Sequence, residues 1–449
     1  MAEMRVIEDQ EQAKGEDSNA SSKLLADSGF IAAERKEKAE NNNNGAANPR
    51  VSGEVIPNQY IVTLKDKPLG SNQAPLGPDK VSIVMNRIGL PRTSPDIQTY
   101  RHAISGFAAK LSPQQLAALQ ADPDVKAIEP DRKIFVEPRT VGTASLVPTK
   151  EIPNGVARIE GDQSPTAKTP GGVDVDIAVI DTGINLKHSD LNVVSNVSFV
   201  EGTATGDDDN GHGSHVAGTI GALDNGKGVT GVAPGARLWA VKVLDAGGSG
   251  TLSGVAAGID YVTKNADKIE VANMSLGGRF KSDVIDTALN SAVDAGVTFV
   301  VAAGNSGMDA DGFSPANHPK VLAVSAVADS DGKGGGKGGS VDWEKDDQLA
   351  SFSNFGEKVK IGAPGVGIES TWKADGTNTD TFNSISGTSM ASPHVAGAAG
   401  LIKATNPTMK PDDVYKKLID SGKAQSDPDY GFGGDTDKLR EPMLNVKGF

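Results

Sequence analysis

Short apolar runs alternate with helical repeats along the larger, C-terminal part of the chain. In 282–295, apolar residues recur every three or four positions, which is typical of a helix with one buried face. Five runs of the kind found in buried strands lie at 177–180, 238–241, 271–274, 297–301 and 321–324. Because strands that alternate with helices form parallel sheets, we predict an α/β domain over residues 153–449, with a mostly parallel sheet and helices on both faces.

A smaller domain is predicted in front of it, over residues 55–136. Residues 60–64 are rich in β-branched and aromatic side chains, as strands are. Ser112 and Pro113 begin a helix, the serine as its N-cap and the proline at its first position. A second strand begins in 125–128. Strands and helices that alternate at this spacing indicate a compact α+β domain.

Three stretches are predicted to lack regular structure. Residues 1–54 are polar and charged and are expected to be disordered. They contain no apolar segment of a secretory signal, so either the protein stays inside the cell or the signal has been removed or lies outside this sequence. Residues 137–152 form a proline-containing linker, and 330–340 form a glycine-rich, flexible loop.

Composition narrows the classes of function. The chain has 449 residues, a net charge of −14 and no cysteine. The negative charge argues against a nucleic-acid partner, because phosphates are neutralised by basic patches. The lack of cysteine excludes disulfides, a thiol nucleophile and cysteine-ligated zinc. No run approaches the roughly 18 apolar residues of a membrane-spanning helix, so no membrane span is expected.

Three motifs carry the chemistry, at or beyond the ends of predicted strands. Asp181 follows an apolar strand, while His212 and Ser389 each begin a helix rich in small residues. Serine needs a base to take its proton, and that base needs a carboxylate that holds its tautomer. Each residue alone is more often structural. Together, in the order Asp, His, Ser, they indicate a catalytic triad.

The motifs resemble the signature blocks of the subtilisin-like (subtilase) family of serine peptidases. They read Ile-Asp-Thr-Gly in 180–183, Asn-Gly-His-Gly-Ser-His in 210–215 and Gly-Thr-Ser-Met-Ala in 387–391, with Ala-Ala-Gly-Asn-Ser-Gly in 302–307 as a fourth block. The resemblance implies that Asn305 and the Ser389 N–H bind the oxyanion of the tetrahedral intermediate. It also implies that two segments form the edges of the substrate cleft: Gly248, Ser249 and Gly250, and Ser275, Leu276 and Gly277.

A calcium site is also implied by the resemblance. Its ligands would be the Asp190 carboxylate, the Asn225 amide and three backbone carbonyls, those of Leu223, Lys227 and Val229. Oxygen ligands at irregular spacing suit Ca²⁺, and a surface turn is the alternative. A second family site is not expected, because Lys360 stands where an acidic ligand would be. The acidic run 207–209 is interpreted as solvated charge.

The small domain resembles the inhibitory propeptide of subtilases in three segments, 56–62, 102–111 and 128–131. The resemblance implies a self-processing zymogen, cut between about residues 136 and 148, with the propeptide as intramolecular inhibitor. Its other partners would be protein or peptide substrates. A monomer that acts outside the cell is expected from the family, with the cytoplasm as the alternative location.

Other functions fit less well. An α/β-hydrolase esterase would need Gly-x-Ser-x-Gly and a different order of triad residues. A nucleotide-binding loop would need Gly-Lys-Ser or Gly-Lys-Thr at the required spacing. A catalytically silent homologue acting as a binding module remains open, although no candidate residue is missing.

Overall fold

The computed structural model describes residues 52–71, 80–91, 94, 96–136, 139–140, 152–437 and 439–449. The predicted disorder of 1–54 therefore falls almost wholly outside the described residues, and so does most of the linker 137–152.

The smaller, N-terminal part is an antiparallel sheet with two helices. Its strands are β1 (Val55–Leu64), β2 (Gln98–Tyr100), β3 (Gly106–Lys110) and β4 (Val125–Phe135), and its helices are α1 (Lys80–Arg87) and α2 (Pro113–Gln120). Ser112 caps α2 and forms a reciprocal capping box with Gln115, as the Ser-Pro pair predicts. Val62, Phe107 and Leu119 are central to the apolar core of this part.

The larger part contains the remaining elements. After β5 (Arg139–Thr140), its helices are α3 (Asn154–Arg158), α4 (His212–Gly221), α5 (Leu252–Lys264), α6 (Asp283–Asp294), α7 (Thr388–Thr405) and α8 (Pro411–Ser421). Its strands are β6 (Asp176–Asp181), β7 (Val193–Ser198), β8 (Arg237–Lys242), β9 (Ser249–Thr251), β10 (Val271–Met274), β11 (Thr298–Ala302), β12 (Leu322–Ala328), β13 (Ser340–Val341), β14 (Glu344–Lys345), β15 (Gln348–Leu349), β16 (Val359–Pro364), β17 (Ile368–Thr371) and β18 (Phe382–Ser386).

The central sheet has eight strands in the order β15-β12-β11-β10-β6-β8-β7, with β16 also paired to β12. All of its pairings are parallel except β12 with β15. The prediction of a mostly parallel sheet with helices on both faces is thus confirmed. Strand β6 is buried along its whole length. Ile177 and Val179 belong to one apolar core and Ala178 and Ile180 to the other, because successive side chains of a strand point to opposite faces.

Close packing around the start of α4 explains its small residues. A side chain at Gly213 would place a Cβ 2.0 Å from the carbonyl oxygen of Gly183. The loop after β6 and the first turn of α4 therefore approach each other more closely than any residue except glycine allows.

The small domain binds the larger part through carboxylates at helix ends. Asp131, fully buried, accepts hydrogen bonds from the N–H and Oγ of Ser253 in the first turn of α5. Glu129 accepts the N–H of Val284 at the start of α6. Negative charge is favourable at both places, because the free N–H groups and the dipole of a helix point toward it.

In one further contact the carboxylate belongs to the larger part and the N–H donors belong to the small domain. Asp260 of α5 accepts the backbone N–H groups of three consecutive residues, Arg101, His102 and Ala103. Hydrogen bonds to an ionised group are worth about 1.5–3 kcal/mol.

We expect Asp260→Ala to loosen this loop of the small domain. Amide hydrogen exchange in 101–103 of the Ser389→Ala protein should accelerate about tenfold or more, because the loop loses its charged acceptor. The matched control is Asp267→Ala, which removes an exposed carboxylate just beyond α5. Equal exchange in the two variants would contradict the anchoring role of Asp260.

Candidate active site

Asp181 and His212 form a buried hydrogen-bonded pair. Asp181 is the last residue of β6 and His212 is the first residue of α4. The distance between His212 Nδ1 and Asp181 Oδ1 is 2.7 Å, and neither residue is exposed. Because the carboxylate accepts this bond, Nδ1 carries the proton and Nε2 is left as the basic nitrogen. His212 Nε2 has no hydrogen-bond partner within the described part of the chain.

Ser389 lies in the first turn of α7, and α7 packs against α4. Its hydroxyl donates to the carbonyl oxygen of Ser275 at 3.1 Å. The Ser275 hydroxyl in turn donates to the carbonyl of Ser389. The structure therefore contains the Asp–His hydrogen bond of a triad, while the serine hydroxyl is bonded to a segment predicted to line the substrate cleft.

Asn305 is fixed by the residue that precedes Ser389. Its Oδ1 accepts both the N–H of Thr388, at 2.9 Å, and the Thr388 hydroxyl, at 2.8 Å. A Cβ placed on Gly387 would lie 3.4 Å from Asn305 Nδ2 and 3.7 Å from the Ser389 nitrogen. The amide nitrogen and the Ser389 N–H thus border the same small space beside Gly387.

Asp208 is a residue of the site that sequence analysis missed. It is only 7% exposed, so the interpretation of 207–209 as a solvated run is wrong at this position. Burial raises the pKa of Asp208, although its hydrogen bonds favour the carboxylate. Its two oxygens accept five hydrogen bonds, from the Thr182 hydroxyl, the N–H groups of Asn210, Gly211 and Ser214, and the Ser214 hydroxyl.

These bonds connect the two segments that carry Asp181 and His212. Thr182 follows Asp181, while Gly211 and Ser214 flank His212. The signal in the sequence was the pattern Asp-x-Asn-Gly before a helix, which is typical of an Asx turn. The neighbouring Asp209 binds the buried Lys242, whose ammonium also donates to the Thr182 carbonyl.

The end of the small domain lies along the predicted cleft. Strand β4 pairs with β9 in antiparallel register, with Ile134 opposite Gly250 and Phe135 opposite Ser249. Phe135 also bridges to Gly277, and the Val136 N–H donates to the Gly248 carbonyl at 3.0 Å. The two segments predicted as cleft edges therefore both contact this one extended strand.

The strand that follows the small domain pairs with the segment that leads into Ser389. In β5, Arg139 pairs with Ser386 and Thr140 with Ile385 of β18. Ser386 lies three residues before Ser389. The described residues on each side of 137–138 thus contact segments that meet at the candidate nucleophile.

The residues predicted to bind calcium lie together in the folded loop. There they form hydrogen bonds with one another. Asp190 is buried, and its carboxylate accepts the Asn225 side-chain N–H at 2.9 Å and the Val229 N–H at 3.1 Å. The Asn225 oxygen accepts the Lys227 N–H. In this arrangement the Asn225 amide presents its nitrogen, and not its oxygen, to Asp190.

Two further histidines near the site are buried and bonded to the backbone. His215 Nε2 bonds to the Ile368 carbonyl and His394 Nδ1 to the Met390 carbonyl. Burial lowers the pKa of His215 to about 3 and that of His394 to about 4. Both are therefore neutral packing residues at neutral pH.

Comparisons with known proteins match both parts of the chain. The family model described as "Subtilase family" matches residues 172–434, and that described as "Peptidase inhibitor I9" matches residues 59–137. The chain is 41% identical over 330 residues to an alkaline protease of Alkalihalobacillus alcalophilus, which covers 73% of this chain and 77% of the relative. It is 38% identical over 371 residues to alkaline serine exoprotease A of Vibrio alginolyticus, and this match covers 81% of this chain and 64% of the relative.

One solved structure is also similar to this chain. The crystal structure of a cold-adapted subtilisin-like serine proteinase matches with a TM-score of 0.54 and 35% identity, over 66% of this chain and 99% of the other. Within the described residues, no helix has the length and apolar character needed to cross a membrane.

We expect Asp208→Asn to disturb the pair formed by Asp181 and His212. The new NH₂ group would face N–H and O–H donors, and leaving buried donors without an acceptor costs about 1–3 kcal/mol. Chemical denaturation should register the loss of stability, and the low-field proton resonance of the His212 Nδ1–H should shift or broaden. Asp207→Asn is the matched control, because Asp207 is exposed. If both variants behaved like the wild type, Asp208 would have no positioning role.

Proposed function

The chain belongs to the subtilase family of serine proteases and carries a propeptide of the I9 inhibitor type, and we propose that Asp181, His212 and Ser389 are its catalytic triad. The observation that carries this assignment is the 2.7 Å hydrogen bond between two fully buried side chains, Asp181 and His212. An imidazole held in this way exposes its basic nitrogen to a nucleophile and gains a counter-charge when it is protonated.

In the proposed mechanism, Ser389 Oγ attacks the scissile carbonyl carbon while His212 Nε2 takes its proton. The tetrahedral intermediate collapses as His212 returns that proton to the leaving amine, which leaves an acyl-enzyme. Water, deprotonated by the same nitrogen, then attacks the ester carbonyl, and His212 returns that proton to Ser389 Oγ as the C–O bond breaks and the second product leaves. Asp181 keeps the proton on Nδ1 and stabilises the imidazolium.

The serine hydroxyl has to change its hydrogen bond before it reacts. In the described arrangement it donates to the Ser275 carbonyl. A rotation about the Cα–Cβ bond of Ser389 would direct it away from this carbonyl and toward His212. Ser389 also lies in the first turn of α7, where the helix dipole favours developing negative charge.

We propose that the oxyanion binds between the Asn305 side-chain amide and the Ser389 N–H. The bonds from Thr388 hold Asn305 Oδ1, which turns the NH₂ group toward the space beside Gly387. Donors fixed in advance are effective because they need no reorganisation when charge develops.

Substrates would bind as an extended strand between the segments 248–250 and 275–277. Strand β4 supports this, because it pairs with both segments through backbone atoms. Backbone pairing is insensitive to sequence, so the same cleft suits many protein or peptide substrates and also the propeptide as its inhibitor.

The maturation cut is proposed within three bonds, from Val136–Glu137 to Pro138–Arg139. Val136 pairs with one cleft edge and Arg139 with the segment that leads into Ser389. Only two residues separate them, which supports a scissile carbonyl within this interval. The proposed cut thus lies at the start of the expected range of 136–148. The proposed domains are the propeptide in 55–136, the linker in 137–152 and the peptidase in 153–449.

Calcium at the Asp190 loop remains a proposal. Half a turn of the Asn225 amide would exchange its nitrogen for its oxygen and give Asp190 and Asn225 as side-chain ligands. The carbonyls of Leu223, Lys227 and Val229 would complete the set. The ion would stabilise the folded loop and take no part in the chemistry. A monomer that acts outside the cell is proposed from the family alone.

We expect Asn305→Ala to lower kcat by about 10²–10³-fold with little change in KM, the general magnitude for one lost oxyanion donor, itself measured in a subtilisin. Asn305→Asp is the informative partner, because it keeps an acceptor for Thr388 and removes the N–H. Steady-state kinetics on a peptide substrate should show a severe loss of kcat in both. Near-normal kcat in either variant would remove Asn305 from the oxyanion site.

We expect the wild-type chain, and not Ser389→Ala, to lose its N-terminal segment when followed by intact mass. The new N-terminus should be residue 137, 138 or 139, because Val136 pairs with a cleft edge and Arg139 with the segment that leads into Ser389. Ser392→Ala is the control: it removes a buried hydroxyl of the same helix, bonded to Asn273, and should leave processing intact. Equal trimming of Ser389→Ala and wild type would contradict self-processing, and a first cut after residue 140 would contradict the register.

A further inference from the structure

A short hairpin after β12 carries a tryptophan at its turn. Strands β13 and β14 pair with Val341 opposite Glu344, so Asp342 and Trp343 are the two turn residues. Their φ angles are +47° and +68°. Turns of this kind favour Asn, Asp and Gly, which explains Asp342 and not Trp343. The indole is 88% exposed, more than any other large apolar side chain in the described ranges. Backbone outliers of this kind cluster at active sites and ligand-binding segments.

The turn is bonded to β18, the strand that leads into Ser389. The Ser386 hydroxyl donates to Asp342 Oδ2 and accepts the Gly367 N–H at 2.8 Å. A Cβ placed on Gly367 would lie 2.5 Å from Val341 Cγ2, so the hairpin packs closely over this glycine. The first half of the turn is therefore fixed at the residue three positions before Ser389.

The second half of the hairpin is fixed on the side of Asn305. Glu344 Oε1 accepts the N–H and the hydroxyl of Ser351, at 3.1 and 2.5 Å. A Cβ placed on Gly307 would lie 3.1 Å from the Ser351 carbonyl oxygen, and Gly307 is two residues after Asn305. Trp343 thus lies between two anchored residues, one bonded to the segment of the nucleophile and one to a segment beside the proposed oxyanion site.

The pairing of β5 shows which part of a bound chain would meet this hairpin. Arg139 lies directly opposite Ser386, and it follows all three bonds proposed for the maturation cut. Directly opposed residues of antiparallel strands have their side chains on the same face, with Cβ atoms about 4.5–5.5 Å apart. A substrate residue in the register of Arg139 would therefore have its side chain on the face where the Ser386 hydroxyl reaches Asp342.

We propose that Asp342 and Trp343 select a basic residue on the leaving-group side of the cut, in the register of Arg139; this rests on the proposed function. Asp342 supplies the opposite charge, and the face of tryptophan attracts cations more strongly than that of other aromatic residues. Arginine suits this pair better than lysine, because its planar guanidinium stacks on rings and binds carboxylates. The chain itself has arginine at this position.

The test uses internally quenched peptides that copy residues 131–143 of the chain. Three versions differ only at the position of Arg139, which is Arg, Gln or Leu. The processed enzyme is assayed with each peptide, and mass spectrometry identifies the bond that is cut. Each enzyme's kcat/KM for one peptide is divided by its kcat/KM for another, so a difference in the amount of active enzyme cancels.

Two variants remove the two parts of the site separately. Trp343→Ala removes the ring. Asp342→Asn removes the charge, while its amide oxygen can still accept the Ser386 hydroxyl and asparagine tolerates a positive φ. Val194→Ala is the matched control, because Val194 is a 47% exposed apolar residue of β7, at the opposite edge of the central sheet from β15.

We expect the wild type and Val194→Ala to prefer the Arg peptide over the Gln peptide, with the cut before Arg139. Trp343→Ala should lower the Arg/Gln ratio about two- to fivefold, the range for an exposed cation–π contact. Asp342→Asn should lower it as well. The wild-type ratio should fall as salt is added, because exposed charges are screened, and the ratio of Asp342→Asn should respond less.

Three results would overturn the proposal. One is the same Arg/Gln ratio in Trp343→Ala, Asp342→Asn and Val194→Ala. Another is an equal loss in Trp343→Ala for the Leu and Arg peptides, which would make the contact merely apolar. The third is a wild type that digests casein but does not cut these peptides before Arg139. Failure to digest casein as well would instead contradict the proposed function itself.

Discussion

The hydrogen bond between Asp181 and His212 is the interaction around which the site is built. A carboxylate at the end of a fully buried strand needs a partner, and the first residue of α4 supplies one at 2.7 Å. Asp208 accepts five hydrogen bonds from the segments that carry Asp181 and His212. The Lys242 ammonium donates to the carbonyl of Thr182, in the loop after Asp181. Glycine at 213 allows the close approach that this requires. Catalytic geometry and local stability therefore depend on the same few contacts.

The propeptide pairs with the same backbone edges that we propose for the substrate. Strand β4 adds to β9 and bridges to Gly277, and β5 pairs with β18, whose Ser386 lies three residues before Ser389. Further contacts away from the cleft bind the propeptide to the larger part. Asp131 and Glu129 accept hydrogen bonds at the starts of α5 and α6, and Asp260 accepts hydrogen bonds from the loop 101–103 of the propeptide. An inhibitor attached in this way is also positioned to be the first peptide that the enzyme cuts.

Much of the fold could be predicted, because the relevant sequence signals are local. The apolar runs predicted the parallel sheet, and Ser112 with Pro113 predicted the start of α2. Three features depend on contacts that composition does not specify, and sequence analysis missed them. Asp208 looked like one member of an acidic run, but it is buried and accepts hydrogen bonds from Thr182, after β6, and from the segment 210–214 that follows it. The loop 330–340 looked flexible, but the N–H groups of Ser330 and Gly338 donate to Asp346 and that of Gly336 to Asp347. The hydroxyl of Ser389 pairs with Ser275, and no motif specifies that rotamer.

Labelling of the processed wild-type protein with a fluorophosphonate tests the triad most directly. The reagent reacts with a serine whose proton is taken by a positioned base, and it leaves ordinary hydroxyls unmodified. We expect labelling to approach one group per mature chain, located on Ser389 by peptide mass spectrometry, with loss of proteolysis in proportion. A processed, proteolytically active protein that stayed unlabelled, or that carried its label on another serine, would contradict the assignment of Ser389 as the nucleophile.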